Sequence, residues 1–197
     1  MPPTIHFIRH AQGYHNLSAA NHVMHDPLLT PFGTQQCATL AKAFPHTSSI
    51  DLLVASPLKR TIYTALLSFP SRTDLTLIAL PEVQETSDFP CDTGSPVTEL
   101  KKEFKGMEDK GWKFDWRECE KAGDYCDKKA GTRWAPQKEK VEERCRVARE
   151  WLSRRKEKDV VVVTHGGVLH YLTEDWADFV ETQGILESST GGSFGGK

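Results

Sequence analysis

The sequence predicts an α/β fold, a three-layer sandwich with a mostly parallel central sheet flanked by helices. Two observations carry that expectation. Val160-Val161-Val162-Val163 is an unbroken β-branched run, and strands this apolar are buried on both faces, as in a parallel sheet covered by helices. Strand-like segments also alternate along the chain with segments of helical periodicity, the order expected of βα units.

In chain order, residues 4–8 form the first strand and residues 51–55 the second. A helix over 34–44 lies between them, after a Thr30-Pro31-Phe32-Gly33 turn. Ser56 followed by Pro57 reads as a cap with proline at the first helical position, launching a helix to about residue 68. Residues 75–80 make a third strand. Over 138–154, Val141, Cys145, Ala148, Trp151 and Leu152 share one helical face. The valine run is the fourth strand, and 166–176 is the last clear helix.

Residues 89–136 break the alternation. Glycines and prolines punctuate them, and Trp112, Phe114, Trp116 and Trp134 add aromatic weight. They are expected to form an insertion of loops and short helices lying over the sheet, glued down by the tryptophans, which could otherwise line a substrate mouth. The chain thus reads as one domain over 1–187 with that covering insertion, followed by a Ser/Gly-rich flexible tail over 188–197.

Composition narrows the partners. A chain of 197 residues can bury one real core. A net charge of −2 gives no electrostatic reason to expect nucleic acid or an acidic membrane. No run approaches the roughly 18 apolar residues of a membrane span. The five cysteines are scattered and odd in number, with no signal-peptide pattern before them. They read as reduced thiols in a cytoplasmic setting.

In an open α/β sheet, ligands bind beyond the carboxyl ends of the strands. Arg9-His10 follows the first strand, Ser56-Pro57-Leu58-Lys59-Arg60 the second, and Thr164-His165-Gly166-Gly167 the valine run. Two guanidiniums and two imidazoles gathered at one edge would repel, by roughly 4 kcal/mol per charged pair 4 Å apart at an effective dielectric near 20. A phosphoryl dianion resolves the conflict, because arginine binds it bidentately and helix N-termini add amide donors. The same cations should keep the His10 imidazole neutral, with a lone pair able to attack phosphorus. Gly166-Gly167 lets the backbone pass close to a ligand.

At these residues the chain resembles the histidine phosphatase superfamily, the phosphoglycerate mutase-like proteins. The stretch Arg9-His10-Ala11-Gln12-Gly13-Tyr14-His15-Asn16 carries its opening motif, with alanine where the family has glycine. Asp26 to Gln36 is similar to the segment that introduces the family's first helix. Ser56 to Arg60 with Thr64-Ala65 resembles the second-arginine motif, and Thr164 to Gly167 the late-histidine motif. The resemblance implies a phosphoglycerate mutase-like sandwich and gives the residues roles. His10 would be the nucleophile that becomes phosphohistidine. Arg9, Arg60 and His165 would hold the phosphoryl oxygens, with Asn16 and Gly166 also at the substrate.

A leaving alkoxide needs a proton. The resemblance places its donor after the third strand, where Glu82 and Glu85 stand. Residues 83–92 are similar to the branch whose acid precedes a Pro-Cys-Asp segment, which favours Glu85 over Glu82. The implied activity is metal-independent hydrolysis of a small metabolite's phosphate ester, of the histidine acid phosphatase kind, with no cofactor. Three alternatives stay open at this point: phosphoglycerate mutase-type transfer, a phospho-ligand binder without turnover, and a metal hydrolase. No HExxH pattern supports the last. Residues 183–187 offer the only candidate for the family's final strand; without it, a free sheet edge would allow a homodimer.

Overall fold

The computed structural model describes residues 2–45 and 47–173. Among them five strands form one sheet: β1 (Thr4–Arg9), β2 (Leu52–Ala55), β3 (Thr76–Ala79), β4 (Lys113–Asp115) and β5 (Asp159–Thr164), in the spatial order β1-β5-β2-β3-β4. All four pairings are parallel, so every strand delivers its carboxyl end to one edge. Arg9 pairs with Thr164, and Ala55 with Val163. That register sets the segments following β1, β5 and β2 side by side.

Helices cover both faces: α1 (Pro31–Ala43), α2 (Lys59–Ser68), α3 (Val97–Glu103), α4 (Lys105–Glu108), α5 (Arg117–Ala122), α6 (Lys138–Ser153) and α7 (Gly166–Thr173). Alternation along each strand sorts its side chains between two layers. Val161, Val163, Leu53 and Leu77 pack with Leu40 of α1, Ile62 and Ala65 of α2, and Leu100 of α3. Val160, Val162, Val54 and Ile78 pack instead with Val141 and Ala148 of α6 and Val168 of α7. The valine run is fully buried, each side chain contributing roughly 1.5–3 kcal/mol. The three-layer sandwich is as the sequence predicted.

Three elements differ from expectation. Helix α1 begins at Pro31 rather than residue 34, because the Thr30 hydroxyl accepts from the Gly33 amide at 3.0 Å and proline takes the first helical position. Helix α2 begins at Lys59, so Ser56 is not its cap. The Lys59 amide instead donates to Asp26 Oδ1 at 2.9 Å, a carboxylate 33 residues upstream. Residues 89–136, expected as loops and short helices, also supply β4 at the sheet edge beside β3. Trp112, Trp116 and Trp134 are buried in the core, which favours packing over a substrate mouth. The end of the last helix beyond residue 173, the candidate strand at 183–187 and the tail at 188–197 lie outside the described residues.

Candidate active site

The loop after β1 folds back over the sheet edge. Its backbone is pinned by His10 N–H donating to Thr164 O at 2.9 Å and Ala11 N–H donating to the Thr64 hydroxyl at 3.1 Å. Gly33 is required next to it. A Cβ there would stand 2.1 Å from the Gln12 carbonyl oxygen, so the first turn of α1 can pack on this loop only without a side chain.

His10 is buried, and its Nδ1 lies 2.8 Å from the Ala11 carbonyl. A carbonyl only accepts, so Nδ1 carries the proton and Nε2 keeps its lone pair. Burial first, and the nearby Arg60 charge second, hold the His10 pKa well below the usual imidazole value. Desolvation is the larger cause, ahead of the surrounding cations expected from the sequence.

The His165 ring lies 5.1 Å from that of His10. Arg60 donates from Nη2 to His165 Nδ1 at 3.0 Å, so His165 Nε2 bears its proton and donates to Ser56 Oγ at 2.8 Å. This accounts for Ser56: its hydroxyl orients an imidazole instead of capping a helix. His165 is likewise held well below its ordinary pKa, by burial first and Arg60 second. Arg60 is fully buried and also donates to Cys91 O at 2.5 Å and Asp92 Oδ1 at 2.9 Å.

Arg9 and Glu85 meet at the start of α7. A Cβ on Gly166 would lie 3.4 Å from Arg9 Nε, and one on Gly167 only 2.5 Å from Glu85 Oε1. The Glu85 carboxylate accepts from Gly167 N–H at 3.2 Å and Thr86 N–H at 2.8 Å. Glu82 points elsewhere: it pairs with Arg133 at 2.5 Å. Asn16 is in the loop after β1 but exposed, and its Oδ1 accepts from the Gly13 amide at 2.9 Å. That bond closes the loop. The structure thus brings His10, His165 and Arg60 into one cluster and sets Arg9, Glu85 and Gly166 together at its α7 side.

Comparison with known proteins bears on the family and the fold. The family model described as histidine phosphatase superfamily (branch 1) matches residues 5–184. The chain belongs to that superfamily. A Schizosaccharomyces pombe protein named as a probable phosphatase is 30% identical over 180 residues, spanning 83% of this chain and 74% of its own. An Arabidopsis thaliana phosphoglycerate mutase-like protein is 29% identical over 211 residues, spanning 86% and 73%. Among solved structures, the alpha-ribazole phosphatase of Shigella flexneri superposes with a TM-score of 0.53 at 21% identity, over 84% of this chain and 75% of its own. A mycobacterial glucosyl-3-phosphoglycerate phosphatase gives a TM-score of 0.50 at 21% identity, over 86% and 76%. These likenesses show the fold.

Several further buried polar residues of this histidine phosphatase superfamily chain stand in or around the cluster. His15 is a third imidazole, with its ring 5.4 Å from that of His10. Burial, then Arg60, lowers its pKa to about 4. Asp92 anchors Arg60. Arg144 carried a legible signal: it falls on the apolar stripe of α6 between Val141 and Ala148 and is buried. Lys128 carried none.

His15 makes stability depend on pH with a definite sign. Between about pH 6.5 and 4 the unfolded chain protonates this imidazole while the folded chain does not, so stability is lost as pH falls through that window. Its contribution is up to about 1.4 kcal/mol per pH unit. Denaturant unfolding of a His15→Gln variant at several pH values should show a shallower acid loss than the parent by that amount. Parallel curves would refute the assignment.

Proposed function

We propose that this histidine phosphatase hydrolyses phosphate monoesters of a small metabolite through a phosphohistidine on His10. The observation that carries the reading is the Nδ1–H bond from His10 to Ala11 O, which leaves Nε2 free beside the Arg60–His165 pair. In the first step His10 Nε2 bonds to phosphorus as the bond to the ester oxygen breaks, and Glu85 gives that oxygen its proton. In the second, water attacks phosphorus, its proton returns to Glu85, and the N–P bond breaks. Arg9 and Arg60 stabilise the charge on the transferring oxygens throughout, where preorganised donors contribute most, and His165 joins them when its Nε2–H turns from Ser56 Oγ to the phosphoryl group. Water as the final acceptor distinguishes this reading from a mutase.

The organic part of the ester is the next question. Among the described residues, the exposed large apolar side chains fall within residues 14–32 and at Phe89, among them Tyr14, Leu17, Leu28 and Phe32. The first segment leaves the nucleophile loop, and Phe89 follows Glu85. They meet where the His22 and Phe89 rings approach to 5.6 Å. Apolar surface on the segments that flank His10 and Glu85 in sequence favours esters with an apolar organic moiety. The five cysteines are free thiols, which supports placing the enzyme in the cytoplasm.

The test is covalent trapping. A phosphate ester labelled on phosphorus, mixed with the enzyme and quenched in denaturant at alkaline pH, should leave acid-labile label on the peptide containing His10. Turnover without any trapped label, under conditions where a known phosphohistidine enzyme is labelled, would count against the mechanism.

A further inference from the structure

The structure assigns Lys128 as a positioning residue that, with Arg144, aims Glu85 by gripping the backbone of its loop; this rests on the proposed role of Glu85 as proton donor. Lys128 comes from the connection between α5 and α6 and is only 4% exposed. Its ammonium donates to three backbone carbonyls, Glu85 O at 2.8 Å, Ser87 O at 2.8 Å and Asp92 O at 2.6 Å. Three donors meet three acceptors, so the group is spent in full.

Arg144 grips the same loop from α6. Its guanidinium donates to Glu82 O at 3.1 Å, to Gln84 O, and to Glu85 O at 3.3 Å. The carbonyl of Glu85 is therefore held from both sides. No helix or strand runs through residues 84–89, so regular hydrogen bonding does not fix the direction in which the Glu85 side chain leaves the chain. The two buried cations supply that constraint.

An ordinary core would not spend a lysine here. Burial, with Arg144 next, pushes the Lys128 pKa down to about 7, so the charge is costly where it sits. Methionine could fill the same volume at less electrostatic cost. What methionine cannot do is bond three carbonyls that face one another, and that convergence is what shapes the loop.

A misaimed acid has a kinetic signature that general destabilisation lacks. Esters of alkyl alcohols need a proton on the leaving oxygen, whereas a p-nitrophenyl ester leaves unaided. General acid catalysis is typically worth 10²–10⁴-fold. Lys128→Met should therefore lower kcat/KM by about 10²-fold on an alkyl phosphate and by less than about 5-fold on p-nitrophenyl phosphate. This constant reports the transfer to His10 and not the hydrolysis step common to all esters, and the selectivities below are read in kcat/KM as well. Glu85→Gln, run alongside, should show the same selectivity more strongly. Equal losses on both esters, or no loss on either, in folded Lys128→Met would overturn the inference. If Glu85→Gln is selective and Lys128→Met is not, only the positioning role falls; if Glu85→Gln is unselective, the acid assignment falls and takes this inference with it. Should Lys128→Met fail to fold, Lys128→Gln, which keeps two donors, should show the selectivity at intermediate strength, and its absence there would be equally decisive.

Discussion

Replacing His10 with alanine should lower phosphate release by at least about 10⁴-fold while leaving the fold intact, because the variant removes the only group proposed to bond to phosphorus. The rest of the cluster would persist. His165 is held by Arg60 and Ser56, and Arg60 by Cys91 and Asp92, none of which depends on His10. Substrate should still bind, so KM should change far less than kcat. The structural loss is confined to one bond to the Ala11 carbonyl and a small volume. Steady-state release over a panel of metabolite phosphates, with a thermal melt on the same samples, checks both halves. A fully active His10→Ala enzyme would end the proposed mechanism.

Arg60→Met should damage both stability and turnover, which separates it from His10→Ala. Arg60 is fully buried and joins three partners: the Cys91 carbonyl, the Asp92 carboxylate and His165 Nδ1. Removing one member of a buried ion pair leaves the other charge uncompensated, a loss of about 3–5 kcal/mol. Asp92 keeps a bond from Ser87 Oγ at 2.6 Å, which softens that loss without cancelling it. His165 would lose the donor that sets its tautomer, and the phosphoryl oxygens a nearby positive charge. We expect kcat to fall by about 10²–10³-fold. Arg60→Lys should recover part of the stability but little of the rate, since an ammonium cannot reproduce the planar fork. Denaturant unfolding combined with kinetics tests this. An Arg60→Met midpoint equal to that of the parent would show that the Asp92 pair contributes nothing.

Much of this arrangement was legible because its residues are local to strand ends. Arg9-His10 and Thr164-His165 sit where β1 and β5 stop, and parallel pairing of Arg9 with Thr164 is enough to bring them together. Arg60 follows from the same logic in the first turn of α2. Choosing Glu85 over Glu82 needed the family resemblance; in the fold Glu82 pairs with Arg133 while Glu85 meets the α7 amide of Gly167. Strand β4 was not legible. Three residues at a half-exposed edge carry no readable period.

The amino-acid sequence determined the layers and the chemistry, because hydrophobic period and strand-end residue types are properties of short windows. A run of valines must be covered on both faces wherever it lies, and the residues after it must emerge at one edge. Tertiary structure alone decided which partner each polar group took. Ser56 is a competent helix cap by every local rule, yet His165, distant in the chain, claims its hydroxyl, and Asp26 takes over at the Lys59 amide. Lys128 reads as one more surface lysine until three carbonyls converge on it. A buried donor bonds to whatever acceptor the fold sets beside it, and that neighbour is fixed by long-range packing rather than by any window of sequence.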